Sequence, residues 1–227
     1  MIGNLQIKMV NMIKNYLRKL RFFRLVNYKI NNNYKNFRNL DLDKESIVVD
    51  IGANIGLISQ TLVDMYDCNI YAYEPNNVAF KELKKRFRDN NKVRCYNLAV
   101  TEDGLKKKIF FHKKSKIDAI KYSTATSLLP KKENINNKYC NIIKTIAISK
   151  IISKFKSIDL IKIDVEGYEY KILPYIIKKK KNIKKVICEL HGNLKSEKNI
   201  FLRKKYLKLI NKLKEHKLYN SWLLEHF

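Results

Sequence analysis

From Ser46 onward the apolar positions switch between two periods. SIVVDIG (46–52) is a β-branched run ending in Asp-x-Gly, NIGLISQTLVDMY (54–66) repeats with helical spacing, and NIYAYEP (69–75) is strand-like again. VAFKELKKRFRDN (78–90) then reads as helix and KVRCYNLAV (92–100) as strand. A strand, helix, strand order needs a crossover and therefore a parallel sheet. KKIFFHK (107–113) reads as an inserted hairpin arm, and the polar stretch 114–137 as a mobile loop. A second set follows: strands at NIIKTIAIS (141–149) and SIDLIKID (157–164), a helix over 168–179 perturbed by Pro174, and a strand at KKVICEL (184–190). A long amphipathic helix over 196–216 and a closing strand or hairpin in 218–227 complete the chain. The expected fold is a doubly wound, mostly parallel α/β sheet of Rossmann-like type.

Ahead of this alternation, Met9, Ile13, Tyr16, Leu17, Leu20 and Phe23 recur at helical spacing among Lys and Asn, which predicts one amphipathic helix. Its apolar stripe either caps the main domain or lies on an anionic membrane surface through residues 5–25. An Asn-rich connection (31–39) leads to the core, so residues 1–44 are expected as a helical extension and 45–227 as the main domain. Lys8, Lys14, Arg18, Lys19 and Arg21 break up the apolar positions as no signal peptide would, and no apolar run reaches the ~18 residues of a membrane span.

Charge changes this picture less than its size suggests. The net charge of +27 over 227 residues would ordinarily point to a polyanionic partner. Yet only eight of the 48 basic residues are Arg, and Lys is spread along the whole chain with Asn and Ile, as a compositional bias would spread it. Nucleic-acid sites instead concentrate Arg for bidentate contacts. The four Cys form no CxxC pair, which fits a reducing, cytoplasmic setting. His112, His191, His216 and His226 lack metal-ligand spacing along the chain, so no metal site is expected.

The candidate chemistry begins at the first strand's carboxyl end, where open parallel sheets bind ligands. Asp50, Gly52, Ala53, Asn54 and Gly56 form a DxGAxxG turn. A dinucleotide fingerprint would need Gly at 54 and 57, where Asn54 and Leu57 stand, and no Gly-Lys-Ser/Thr follows as in a P-loop. A turn that admits close approach beside the carboxylate of Asp50 suits a cationic nucleoside without phosphate. Glu74, followed by Pro75 at the second strand's end, is placed to accept hydrogen bonds from both ribose hydroxyls. S-adenosylmethionine (SAM) meets these requirements. Asn97, ending the third strand, is a candidate for the adenine edge or an ordinary turn-entry Asn.

With IDLIKIDVEGYEYKIL (158–173) the chain resembles the FkbM family of SAM-dependent methyltransferases, matching VVDIGANIG, YAYEP, LIKIDVEGYE and ICEL in order. The resemblance covers roughly residues 46–192 and implies a class I methyltransferase fold and methyl transfer, usually to a hydroxyl oxygen of a sugar or secondary metabolite. Such a displacement turns the sulfonium into a neutral thioether, so the enzyme mainly aligns the reactants and removes the acceptor's proton. Asp164 is the first candidate for that base, Glu166 the second, and Glu189 beside His191 an alternative that holds or deprotonates the acceptor. Helix capping competes as the role of Asp164 and Glu166. Strand alternation is taken to turn Lys162 away from this group. The rivals are an RNA 2′-hydroxyl methyltransferase and a basic binding module without catalysis.

Overall fold

The computed structural model describes residues 37–130 and 134–191, positions 204, 208 and 211, and a short segment at 223–225. The expected N-terminal helix, with its membrane contact through 5–25, and nearly all of the expected helix over 196–216 lie outside the described residues. The chain divides into two units, Met1–Leu40 and Asp41–Phe227, and the second holds all the elements that follow.

Strands β1 (Ile47–Ile51), β2 (Asn69–Tyr73) and β3 (Val93–Tyr96) alternate with helices α1 (Leu57–Tyr66) and α2 (Asn77–Arg86), as the apolar periods require. Strand β4 (Ala99–Thr101) leaves that sheet to pair in parallel with β7 (Thr145–Ala147), while β5 (Lys107–His112) and β6 (Ile135–Ile143) form an antiparallel arm. Helix α3 (Ile148–Ile152), strand β8 (Ile158–Ile163), helix α4 (Glu169–Lys178), strand β9 (Ile183–Glu189) and strand β10 (Leu223–Glu225) follow.

The main sheet is parallel throughout, in the order β10-β9-β8-β1-β2-β3. Chain order reverses between β1 and β8, which puts the carboxyl ends of these two strands at the ligand-binding crevice of a doubly wound sheet. This is the expected Rossmann-like class. Alternation splits β1 cleanly: Val49 and Ile51 join the core under α3 and α4 with Ile161, Ile163, Ile172 and Ile176, and Asp50 turns to the other face. Among the described residues no helix is long and apolar enough to cross a membrane.

Three expected boundaries shift for identifiable reasons. Helix α1 begins at Leu57 rather than 54 because Asn54 (φ 51°) and Gly56 (φ 85°) both adopt left-handed backbone. The expected strand 92–100 breaks at Asn97, whose side-chain amide donates to the carbonyls of Glu74 (2.9 Å) and Pro75 (3.3 Å). The expected strand 141–149 is the end of β6, then β7, then the start of α3. The stretch 114–137, expected as a mobile loop, carries a 3₁₀ turn at Ser123–Ala125, a bridge from Ser127 to Phe110, and the start of β6.

Candidate functional site

The first turn is held first by backbone hydrogen bonds. The N–H groups of Gly52 and Ala53 both donate to the Tyr73 carbonyl (2.9 and 3.0 Å), and that of Asp164 donates to Ile51 (3.0 Å). Gly52 (φ 79°) lies so close to β8 that a Cβ there would stand 1.8 Å from the Asp164 carbonyl oxygen. Gly56 serves packing: its Cβ would meet Leu83 and Phe87 at 2.7 Å. Asp50 is fully buried beneath the turn, accepting from the Ser59 hydroxyl (2.6 Å) and facing the Lys162 ammonium (3.2 Å).

Lys162 is the register partner of Asp50 across β1 and β8 and is only 2% exposed. Its ammonium donates to the Gly52 carbonyl (2.8 Å) and stands 3.9 Å from the Asp164 carboxylate. The expectation that it faces away is therefore wrong, because residues two apart on a strand share a face. This buried cation neutralises Asp50 and fixes the turn from below.

At the end of β2 the Glu74 carboxylate accepts N–H groups from Asn76 on one oxygen (2.7 Å) and Asn54 on the other (2.8 Å). Burial pushes its pKa up to about 7, against the lowering effect of those two bonds. Each oxygen keeps a further lone pair.

At the end of β8, Asp164 is followed by Glu166, whose left-handed backbone (φ 54°) costs about 1 kcal/mol, and by Gly167 (φ 102°). This exit is braced by Glu169, fully buried, which accepts from Gly167 N (2.8 Å) and His191 N (2.8 Å). The His191 ring lies between three carboxylates: Nδ1 is 3.4 Å from Glu169, and Nε2 is 3.5 Å from Glu166 and 3.9 Å from Glu189. Burial lowers the His191 pKa, but the neighbouring Glu166 and Glu169 carboxylates outweigh it and raise the value to about 10. Burial raises Glu189 to about 7, helped by the charge of Asp164, and burial likewise raises Asp164 against the pull of Lys162.

Glu74 and Asp164 border one and the same pocket at the carboxyl ends of β1, β2 and β8. Of the residues singled out in the sequence, Gly52, Asn54, Glu74, Pro75, Asp164 and Glu166 line it. Asp50, Ala53, Gly56, Asn97, Glu189 and His191 are not among the lining residues. Asp50 and Gly56 lie under or behind the turn, Asn97 ties down the end of β2, and Glu189 and His191 gather behind Glu166.

The far wall comes from residues 123–128, between the two strands of the arm. Ser123 takes a bond from the Asn54 amide (3.0 Å), Thr126 from the Asn76 amide (2.9 Å), and the Ser127 hydroxyl donates to the Glu166 carbonyl (2.8 Å). Three polar ties thus fasten residues 123–127 to all three strand ends. Nothing in a Ser/Thr-rich stretch signals such a wall, whereas Lys162 was legible from its spacing to Asp164.

The family model described as "Methyltransferase FkbM domain" matches residues 50–224. No curated protein matches the chain. Among solved structures, a chain from a fibrillarin/Nop5p complex is 15% identical over 77% of this chain and 65% of that one, with a TM-score of 0.43. Precorrin 8W decarboxylase of Methanobacterium thermoautotrophicum is also 15% identical, over 77% of this chain and 64% of that one, at 0.40. StiE O-MT (residues 942–1257) is 13% identical over 78% and 47%, also at 0.40. The chain spans less than two thirds of each of these structures, and at such scores the likeness carries no argument about reaction or acceptor.

Proposed function

The chain belongs to the FkbM methyltransferase family and folds as a class I methyltransferase, and on that premise we propose that it uses SAM to methylate a hydroxyl of a sugar, glycan or small metabolite. The observation that carries this reading is a pair of carboxylates, Glu74 and Asp164, bordering one cavity at the switch point of the sheet. Glu74 fits a ribose: its lone pairs left over from Asn54 and Asn76 can accept two vicinal hydroxyls. Gly52, Asn54 and Pro75 would hold the rest of the nucleoside against the first two strand ends. When bound, SAM supplies an electrophilic methyl group on a cationic sulfur. Asp164 then orients the acceptor hydroxyl and receives its proton, a task that its raised pKa favours.

Incubation with methyl-labelled SAM and separate pools of glycans, small metabolites and RNA tests this. Label is expected in a glycan or metabolite pool. Label confined to RNA and abolished by salt would overturn the acceptor class, and a calorimetric titration with SAM that gives no heat would overturn the cofactor.

Glu74 also sets a pH dependence. SAM hydroxyls donate to the ionised form, so binding should expel the proton that burial keeps on this carboxyl below pH 7. Affinity should therefore rise about tenfold from pH 6 to pH 8 and level off above. Calorimetry at the two pH values measures this, and Glu74→Gln should flatten the profile as well as weaken binding.

A further inference from the structure

We propose that Asp164, Glu166 and His191 form a binding site for one divalent cation at the acceptor end of the cavity. The inference rests on the methyltransferase reading for its purpose but not for its geometry. One ligand atom from each of the three residues lies within 4.8 Å of the others. An octahedral ion with ligands at about 2.1 Å needs about 3 Å between adjacent ligands and about 4.2 Å between opposite ones, so side chains within 4.8 Å of one another close the set by shifts of at most about 0.6 Å for an opposite pair and about 1.8 Å for an adjacent one. Two carboxylate oxygens and one imidazole nitrogen suit Mn²⁺ and its neighbours better than a thiolate-seeking metal.

The ion would displace the proton that the ring shares with its carboxylate neighbours, and the surroundings then suit a ligating histidine. Nε2 points to Glu166 and Glu189, and Nδ1 to the fully buried Glu169, so a carboxylate outside the ligand set fixes the ring orientation from behind. Glu169 is itself locked by the N–H groups of Gly167 and His191. In front, Asp164 and Glu166 open onto the cavity, leaving coordination positions for an acceptor hydroxyl. A cation there would make that hydroxyl more acidic and orient its oxygen, while the second oxygen of Asp164 stays available for the proton. Spacing along the chain concealed this set, because His191 is brought to Glu166 only by the pairing of β8 with β9.

The test uses the full chain, stripped with a chelator and titrated with Mn²⁺ while the signal of free Mn²⁺ is followed by electron paramagnetic resonance. One site per chain is expected in the wild type. His191→Ala and Glu166→Gln should each weaken it at least tenfold, and Glu169→Gln by about 10- to 100-fold. Circular dichroism and SAM calorimetry on each variant verify the fold. If either ligand variant proves unfolded, the other decides. No binding by the folded wild type, or undiminished binding by a folded ligand variant, overturns the inference. SAM binding with no Mn²⁺ site would sink the cation alone. The absence of SAM binding, with Mn²⁺ held, would sink the methyltransferase cofactor alone.

Discussion

Asp164→Asn is expected to cut turnover by about 10²- to 10⁴-fold at saturating SAM, with little change in SAM affinity. The amide keeps the shape of the carboxylate but cannot receive the acceptor's proton. Asp164 stands at the cavity end of β8, and its backbone N–H holds Ile51, so the substitution leaves the frame of the turn intact. Only the charge facing Lys162 at 3.9 Å is lost, and that ammonium remains bonded to Gly52 and paired with Asp50. A purely structural Asp164, capping the turn before α4, would show the opposite split: a lower melting temperature and nearly normal turnover. Single-turnover kinetics with each acceptor pool, paired with thermal melts, separates the two. Unchanged turnover in a folded Asn variant would remove Asp164 from the chemistry and leave Glu166, which also borders the cavity, as the next carboxylate to test.

The parts of this fold that could be read ahead of the structure are those written in local period. Runs such as IVVDI and IDLIKI are too short and too continuously apolar for exposed helices, and the intervening segments repeat at helical spacing, so the parallel sheet followed. The positions of Glu74 and Asp164 at the pocket were legible for the same reason: residues that end the central strands of an open parallel sheet border its crevice. The breaks at Asn97 and Ile143 were not, since both depend on partners far away in the chain. Asn97 is spent on the carbonyls of Glu74 and Pro75 just past β2, and β4 finds its partner in β7, more than forty residues on. The support of the site was concealed for a related reason. Glu169 reads as an ordinary first-turn helix acid, yet it is fully buried and joins the β8 exit to the end of β9. Lys162 is different, because its parity with Asp164 on a buried strand puts it among the carboxylates, and the sequence reading turned it away in spite of that signal. A buried lysine needs such partners to remain charged.

Gly52→Ala should damage the protein more than any other single-methyl addition in the turn. The new Cβ would fall 1.8 Å from the Asp164 carbonyl oxygen and 2.9 Å from its carbon, and the backbone at φ 79° is itself poorly suited to Ala. Left-handed backbone alone costs about 1–2 kcal/mol. The clash is worse, because its partner is backbone: Asp164 is tied to Ile51 through its N–H, so relief requires β1 and β8 to separate at the switch point. A loss of about 4 kcal/mol or more follows, or about 8–16 °C in melting temperature for a domain of this size. Gly56→Ala is the control. It carries the same left-handed cost (φ 85°), but its methyl would meet side-chain atoms, Leu83 and Phe87 at 2.7 Å and Arg86 at 3.3 Å, instead of backbone, so a smaller loss of about 2–4 kcal/mol is expected. The sequence reading gave Gly52 to the ligand, and ligand approach alone predicts a different result: a folded Ala variant with normal melting that has lost SAM affinity. Because Gly52 also borders the cavity, a variant that does fold should bind SAM weakly, but stability must fall first. Equal melting temperatures for the wild type and Gly52→Ala would mean that β1 and β8 do not meet as closely as the turn requires.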